Sequence, residues 1–312
     1  MRDINSELLE GDCLKIMPTM KEEQFDLVIA DPPYWKVVGE KWDYKWRTEN
    51  DYIVWCKQWF KDVYRVLRFG GTFYLFGYFR MLVLLIPLLI ELGFDLRQQI
   101  IINKGIKAVA GRATKNYKMF PNVTESILFL TKKNIVYSRQ FLKSKQREAG
   151  LSAKEINEAL GVKSNGGGMW SIYTGDNICE QFPTEELWNR LKNILHFDLP
   201  YSKIAQTYNP QMGLTDVWDD IDFYQEKRYH PTQKPLKLIK RLILASSNEG
   251  DSILDPFGGC ATTLIASELL NRKATVIEQD SEYIEKSYQR INDITEQVSA
   301  PQRCSQEYRN SK

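Results

Sequence analysis

Residues 25–34 read Phe-Asp-Leu-Val-Ile-Ala-Asp-Pro-Pro-Tyr, an apolar run that ends abruptly at two prolines. A run of this length, rich in Val and Ile, is typical of a buried parallel strand. Its polar tip, Asp31-Pro32-Pro33-Tyr34, therefore follows the carboxyl end of a strand, where open α/β sheets bind ligands. Because the prolines lack an N–H, Asp31 and the adjacent carbonyls present acceptors without competing donors, and Tyr34 adds a flat face. This arrangement suits a planar amino group, although a proline-rich turn that only caps a strand is the simpler alternative.

A second stretch, residues 252–263, reads Ser-Ile-Leu-Asp-Pro-Phe-Gly-Gly-Cys-Ala-Thr-Thr and again predicts a strand that enters a tight loop, followed by a helix. Paired glycines let a ligand approach the backbone closely, and the next helix offers its free N–H groups. The following predicted strand, residues 274–277, ends at Glu278, about 20 residues past the loop, where an acid can accept from ribose hydroxyls.

Together these stretches resemble the beta class of S-adenosylmethionine-dependent amino-methyltransferases, which methylate exocyclic amines of DNA bases. Residues 31–34 are similar to the catalytic motif of that family, residues 255–263 to its cofactor loop, and His230-Pro231-Thr232-Gln233-Lys234-Pro235 to its third hallmark. The order of the motifs is that of the beta class, and the resemblance covers about residues 6–130 and 228–292. Cys260-Ala261 stands where the family usually has Ser-Gly.

The resemblance implies an α/β fold: a doubly wound, mostly parallel sheet of the Rossmann-like methyltransferase type with an inserted, mainly helical recognition region. Alternation of predicted strands and helices independently favours such a sheet. We expect a catalytic half over residues 1–135, a DNA target-recognition region over 136–225, a cofactor-binding half over 226–300 and a disordered tail over 301–312.

The implied reaction is direct transfer of a methyl group from S-adenosylmethionine to the N6 amine of a flipped adenine. The resemblance, together with the acceptors described above, assigns catalysis to Asp31, Pro32, Pro33 and Tyr34. It assigns cofactor binding to Asp12, Asp31, His230, Thr232, Lys234, Asp255, Pro256, Phe257, Gly258, Gly259, Cys260, Thr262, Thr263 and Glu278. Asp12 also suits a helix N-cap, and for His230 a role in positioning the next helix is favoured over that of a general base. The alternatives are N4-cytosine methylation, an RNA methyltransferase and a catalytically silent nucleic-acid-binding relative.

The formal net charge of +2 does not by itself indicate a nucleic-acid-binding protein, but the local distribution does. Residues 104–147 contain eleven basic side chains and one acid, Glu125. Such an excess favours a surface that faces phosphates, and a merely solvated face is the alternative. The candidate DNA-binding residues are Trp35, Lys107, Arg112, Lys115, Lys118, Lys143, Lys145, Arg147, Lys163 and Asn165.

Residues 151–162 resemble the first half of a helix-turn-helix, with residues 163–170 where a recognition helix would begin. Gly166-Gly167-Gly168 speaks against that helix, because glycine is a poor helix former. A flexible recognition loop after one helix is therefore the favoured alternative.

Five scattered cysteines and two histidines favour free thiols in a reducing compartment and give no sign of a metal site. No signal peptide is recognisable, and the apolar stretch 81–90 is shorter than the ~20 residues that a membrane span requires, so it predicts a buried helix. We expect a cytoplasmic protein of bacterial or phage origin that binds double-stranded DNA and no membrane. The resemblance also raises a cognate restriction endonuclease and a homodimer as partners.

Overall fold

The computed structural model describes residues 6–35, 44–109, 118, 120–161, 168–175 and 180–299, with side chains described as far as residue 294. Within these residues lie eight strands, which form one sheet. The strands are β1 Glu7–Glu10, β2 Phe25–Ala30, β3 Leu67–Gly77, β4 Phe94–Asn103, β5 Thr124–Lys132, β6 Val217–Trp218, β7 Ser252–Asp255 and β8 Lys273–Glu278. The α-helices are α1 Cys13–Ile16, α2 Glu49–Val66, α3 Phe79–Leu92, α4 Ile135–Ala149, α5 Ala153–Ala159, α6 Gly168–Thr174, α7 Glu185–Leu195, α8 Leu236–Ser246, α9 Thr262–Leu269 and α10 Ser281–Ser299.

The strand order is β1-β8-β7-β2-β3-β5-β4-β6. All neighbouring pairs are parallel except those of β5, which runs antiparallel to both β3 and β4. The prediction of a mostly parallel α/β sheet is confirmed. Because β2, β7 and β8 are parallel neighbours, their carboxyl ends meet at one edge of the sheet, and this brings the loops after them together.

Strand β2 is buried along its whole length, since helices cover both faces of the sheet. On one face α2 and α3 pack on β2 and β3, and on the other α8 packs on the same strands. The one charged residue in β2, Asp26, is satisfied inside: its Oδ1 accepts from Arg68 Nε at 2.6 Å and its Oδ2 from the Ser252 amide at 2.9 Å. The central strand thus stays apolar or paired, as burial demands.

The boundary between α2 and β3 differs from the sequence prediction. Arg68-Phe69-Gly70-Gly71 is typical of a helix stop and predicts a strand that starts at Thr72; instead the helix ends at Val66 and the strand begins at Leu67. Phe25 pairs with Leu67 and Leu27 with Thr72, so the intervening residues form a bulge in β3. The buried pair of Arg68 with Asp26 draws this segment into the sheet.

Helices α4 to α7 share a hydrophobic cluster of their own, separate from the clusters on the two faces of the sheet. The sequence Ser152-Ala153-Lys154-Glu155 predicts a capping box, and the box is present at the start of α5, with Ser152 and Glu155 bonded reciprocally. A second helix, α6, starts at Gly168, whereas residues 162–167, which include Lys163, Asn165 and two of the three glycines, lie outside the described residues. Trp170, which a recognition helix beginning in residues 163–170 would bring to DNA, is instead buried at 2% exposure and donates to Gln146 Oε1, so it belongs to this core.

The apolar stretch 81–90 is helical, as predicted, but only one side of it is buried. Val83, Leu84 and Ile90 are 45%, 37% and 50% exposed, because α3 lies on the outside of the sheet and packs through its inner face alone. None of the helices among the described residues is long and apolar enough to span a membrane. Cys13, Cys56 and Cys260 are buried free thiols; Cys179 and Cys304 lie outside the described residues, as does the expected tail 301–312.

Candidate active site

A cavity of about 770 Å³ opens at the carboxyl ends of β2, β7 and β8. Its lining includes every residue to which the sequence analysis gave a catalytic or cofactor-binding role, from Asp12 near the start of the chain to Glu278 near its end. Its volume is in the range of small-molecule sites. The fold thus brings the motif at residues 31–34 together with the motifs at residues 230–235 and 255–263, which lie about 200 residues later in the chain.

The Gly-rich loop after β7 forms one wall, and Asp255 holds it. Asp255 Oδ1 accepts from the Phe257 amide at 3.0 Å, and its Oδ2 accepts from Thr263 Oγ1 at 2.5 Å. Burial raises the pKa of Asp255 to about 7. A Cβ atom at Gly258 would lie 2.3 Å from Val276 Cγ1, so only glycine lets the loop lie this close to β8.

Ala261 is the residue at which the loop departs from the family pattern. It has φ +58°, a left-handed conformation, and is the N-cap residue of α9. This is a conformation that glycine adopts at low cost and alanine does not. The backbone therefore follows the path that a glycine at this position would allow, with local strain at Ala261.

Glu278 and Asp12 lie at the other side of the loop. Glu278 Oε2 accepts from the Gly259 amide at 2.7 Å and its Oε1 from the Asp280 amide at 2.8 Å. Burial raises the pKa of Glu278. Asp12 caps α1 by accepting from the Leu14 amide at 3.0 Å, as its alternative role predicted, and its side chain also borders the cavity.

Aromatic side chains form the floor of the cavity. The Phe257 ring lies 5.0 Å from that of Trp59 and 5.7 Å from that of Trp55. Trp35, expected to contact DNA, donates from Nε1 to the Trp46 carbonyl at 3.0 Å and packs against the core. Residues 36–43 of the same loop lie outside the described residues.

His230 lies beside the loop as a neutral imidazole. Its Nδ1 accepts from the Thr232 amide at 3.1 Å, and its ring lies 4.1 Å from that of Tyr283. Burial, with help from Lys234 and Lys286, lowers the pKa of His230 to about 4. The ring orders the turn before α8, in keeping with the positioning role that the sequence favoured.

Asp31 is hydrogen-bonded at both of its carboxylate oxygens. Tyr34 Oη lies 2.6 Å from Asp31 Oδ1, and Lys234 Nζ lies 2.5 Å from Asp31 Oδ2. The same two groups contact Glu125, whose Oε1 lies 2.9 Å from each of them. Burial raises the pKa of Asp31, and Lys234 opposes this only in part. Lys234, expected to bind the cofactor, thus bonds directly to the carboxylate expected to bind the amine.

Glu125 and Lys104 also take part in this cluster of charges, and the sequence analysis gave neither of them a role in the site. Glu125 lies in β5, is 6% exposed, and its Oε2 pairs with Lys104 Nζ at 3.6 Å. Burial alone would raise the pKa of Glu125, but Lys234 and Lys104 bring it below its ordinary value. In the sequence, Glu125 was marked only as a single acid within a basic stretch. Its position beside the site follows from the pairing of β5 with β3.

The candidate DNA-binding lysines and arginines are less uniform than their sequence suggests. Lys107, Lys118 and Arg147 are exposed, and Lys145 pairs with Glu148 at 2.6 Å. Arg112 and Lys115, like Lys163 and Asn165, lie outside the described residues. Lys132, which was counted in the basic stretch, is 4% exposed and donates to the Leu67 carbonyl at 2.8 Å, so it cannot face phosphates.

Comparison with known proteins places this geometry in a family. The chain is 24% identical over 308 residues to the type II methyltransferase M.HinfI of Haemophilus influenzae, covering 94% of this chain and 70% of that protein. It is 28% identical over 305 residues to the DNA adenine methyltransferase YhdJ of Escherichia coli strain K12, covering 94% and 84%. The fold matches the M1.HpyAVI–SAM complex with a TM-score of 0.55 at 18% identity, over 92% of this chain and 98% of that one.

The model of the family described as DNA methylase matches residues 25–289, a range that holds residues 31–34, Glu125, Lys234 and the Gly-rich loop. Because this match extends over most of the sequence, the chain belongs to the DNA methylase family.

Proposed function

We propose that this chain transfers a methyl group from S-adenosylmethionine to the N6 amine of an adenine flipped out of double-stranded DNA. The observation that supports this most directly is the position of Asp31, whose carboxylate lies in the same cavity as the Gly-rich loop, at the end of the adjacent strand. An acceptor for an amine and a cradle for a methyl donor therefore face one another.

The residues present fit S-adenosylmethionine. Gly258 and Gly259 let the loop approach a ligand, Glu278 offers oxygens to ribose hydroxyls, and Phe257 offers an aromatic surface. Asp12 lies where its carboxylate can accept from an amino group of the ligand. When bound, the cofactor supplies an electrophilic methyl group on a sulfonium.

Asp31 and the Pro32 carbonyl act on the acceptor. An exocyclic amine is a poor nucleophile because its lone pair is delocalised into the ring. Two acceptors for its N–H hydrogens would draw the nitrogen toward a tetrahedral geometry, with its lone pair directed at the methyl group. As the N–C bond forms and the sulfonium S–C bond breaks, the nitrogen becomes cationic and loses one N–H proton, which the Asp31 carboxylate that accepts that N–H is placed to take. Catalysis is by orientation and electrostatics, without a covalent enzyme intermediate. A base stacked in a duplex cannot reach Asp31, so it must leave the stack, with Tyr34 beside it.

Adenine is the proposed base because the relative from Escherichia coli is called a DNA adenine methyltransferase. We propose residues 136–225 as the recognition region, between a catalytic half (1–135) and a cofactor-binding half (226–300). Its exposed basic residues suit phosphate contacts that fix register, whereas base contacts would specify the sequence.

We further propose that the enzyme works in the cytoplasm of a bacterium or phage host as part of a restriction-modification system, by analogy with the type II name of M.HinfI. A cognate endonuclease and a homodimer stay predictions. The first is tested by digestion of methylated host DNA with restriction enzymes. The second is tested by the mass of the chain in solution.

The decisive experiment incubates the full chain with tritiated S-adenosylmethionine and, in parallel, DNA, RNA and protein. We expect label in DNA alone and N6-methyladenine after digestion to nucleosides. N4-methylcytosine alone would reassign the base, and label in RNA or protein alone would reject the proposal.

A further inference from the structure

Two carboxylates and two ammonium groups meet at the edge of the sheet where the loops after β2 and β7 come together. Lys234 lies between Asp31 and Glu125, and Lys104 contacts the far oxygen of Glu125. The side chains of Lys234 and Glu125 are 9% and 6% exposed. The charges balance two against two, which is the condition under which buried ions are tolerated.

In this arrangement neither oxygen of Asp31 is left without a donor. Oδ2 accepts from Lys234, and Oδ1 shares the single hydroxyl proton of Tyr34 with Glu125 Oε1. The proposed reaction needs Asp31 to accept an N–H of the target amine. The ammonium of Lys234 therefore competes, with an N–H donor of its own, for one of the two Asp31 oxygens that can accept from the amine.

We propose that Lys234 is a displaceable counter-ion of Asp31: it holds the carboxylate in the absence of the target base and moves wholly onto Glu125 when the base enters. This inference rests on the proposed function, because it assumes that Asp31 accepts the amine. It makes Lys234 and Glu125 positioning residues for the target base and departs from the cofactor-binding role that the resemblance implies for Lys234.

Glu125 lowers the free-energy cost of moving Lys234 away from Asp31. A buried ammonium that loses its carboxylate partner is strongly unfavourable. Lys234 Nζ already lies 2.9 Å from Glu125 Oε1, so it keeps a partner without crossing to solvent. After the exchange Lys234 and Lys104 both face Glu125, while Asp31 keeps Tyr34 and gains the amine.

The ionisation of the cluster agrees with this role. Burial raises the pKa of Asp31. The pKa of Lys234 is also raised, because its two carboxylate partners outweigh the opposite effect of burial. The groups that face the cluster are Asp31 after β2, Tyr34 beyond it, Glu125 in β5, Lys104 after β4, His230 before α8 and Asp255 at the end of β7. Removing the ammonium leaves two neighbouring carboxylates, which hold a proton more tightly.

The first test is Lys234→Met, with Lys237→Met as the matched control, since Lys237 is an exposed lysine three residues on that pairs with Asp220. We expect calorimetry to give an S-adenosylmethionine Kd within about three-fold of wild type. The acid limb of the kcat/KM profile should move to higher pH by about one unit, a tenfold loss on that limb. A loss of cofactor affinity in step with activity, or an unmoved profile, would overturn the inference.

The second test, Glu125→Gln, preserves shape and so guards against a variant that does not fold. Without the second carboxylate, Lys234 has only Asp31 as a charged partner, and the base must compete with it. We expect KM for DNA to rise about tenfold with kcat nearly unchanged, and no effect from the exposed control Glu91→Gln. Unchanged KM, or a fall in kcat alone, would overturn the role of Glu125.

An infrared measurement separates this inference from the proposed function. In the difference spectrum between Lys234→Met and wild type at pH 7, without DNA, we expect a new protonated-carboxyl band that disappears when Asp31→Asn is added. The band tests the counter-ion even if wild type methylates no DNA, in which case the proposed function alone fails. Absence of the band overturns the inference whatever the activity.

Discussion

The cavity and the helical cluster of α4 to α7 are built in opposite ways. The cavity joins residues from both ends of the chain, and its central contacts are buried charges, such as Lys234 with Asp31 across 203 positions. The helical cluster is made by one continuous stretch, and its core is aromatic and aliphatic: Phe141, Trp188 and Phe197 pack on one another.

The difference teaches where chemistry and recognition can vary independently. Residues in the cavity are held by several partners at once, so a change at one of them alters the others. The helices bury one face and leave the other for charged side chains, so surface changes there leave the core intact. The first two predictions below each alter one region and also measure a property assigned to the other.

The largest expected effect is that of Asp31→Ala. Loss of the amine acceptor should lower kcat by about a thousand-fold, the scale of removing a key electrostatic contact. Because Asp31 faces the amine and not the bulk of the cofactor, S-adenosylmethionine affinity should stay within a few-fold, and DNA binding should persist. Single-turnover kinetics measures the loss of activity, and calorimetry measures the cofactor affinity. Cofactor affinity lost together with activity would contradict the assignment.

The counterpart in the helical region is the combined replacement of Lys143, Lys145 and Arg147 by Gln. If all three contact phosphates, the slope of log K against log salt should flatten by about 0.9 for each. Lys145 already pairs with Glu148, so we expect a total change of about two to three, equal for all DNA sequences. Fluorescence anisotropy over a salt series measures it, with Lys57→Gln on α2 as the control. A cofactor affinity altered by the triple change would show that the regions are not independent.

A pH effect on stability should come from His230. In the unfolded chain this imidazole gains a proton below its ordinary pKa of 6.5, whereas in the fold it does so only near 4. Its contribution is therefore fully present above pH 6.5 and is lost as the pH falls toward 4, by up to about 3 kcal/mol. Urea unfolding of wild type and His230→Asn across this range should show the gap between them changing by that amount. A gap independent of pH would place the ring in a more hydrated setting.

The smallest effect is local to the cofactor loop. Ala261→Gly should relieve the left-handed backbone and raise the free energy of unfolding by about 1 kcal/mol. Ala266→Gly, inside the same helix, should lower it by about 1 kcal/mol or more. Chemical denaturation measures both, and a loss of stability in each would mean that the loop has adapted to alanine.

The sequence determined the outline of the fold and the lining of the cavity. Apolar runs ending at Asp31 and Asp255 gave the two strands, because buried strands and the turns after them have strong local signals. The capping box at Ser152 also has a local sequence signal, since caps depend on a few neighbouring residues. Boundaries failed where a distant partner intervened, as at Arg68, which Asp26 holds in the sheet.

Only the tertiary structure decided which side chains form hydrogen bonds and ion pairs with one another. Glu125 was one acid in a basic stretch until the antiparallel pairing of β5 with β3 placed it beside Tyr34 and Lys234. Lys132 and Trp170 looked like surface residues and are buried. Local patterns set backbone conformation, whereas the ionisation and exposure of a side chain depend on atoms that the fold brings from elsewhere in the chain.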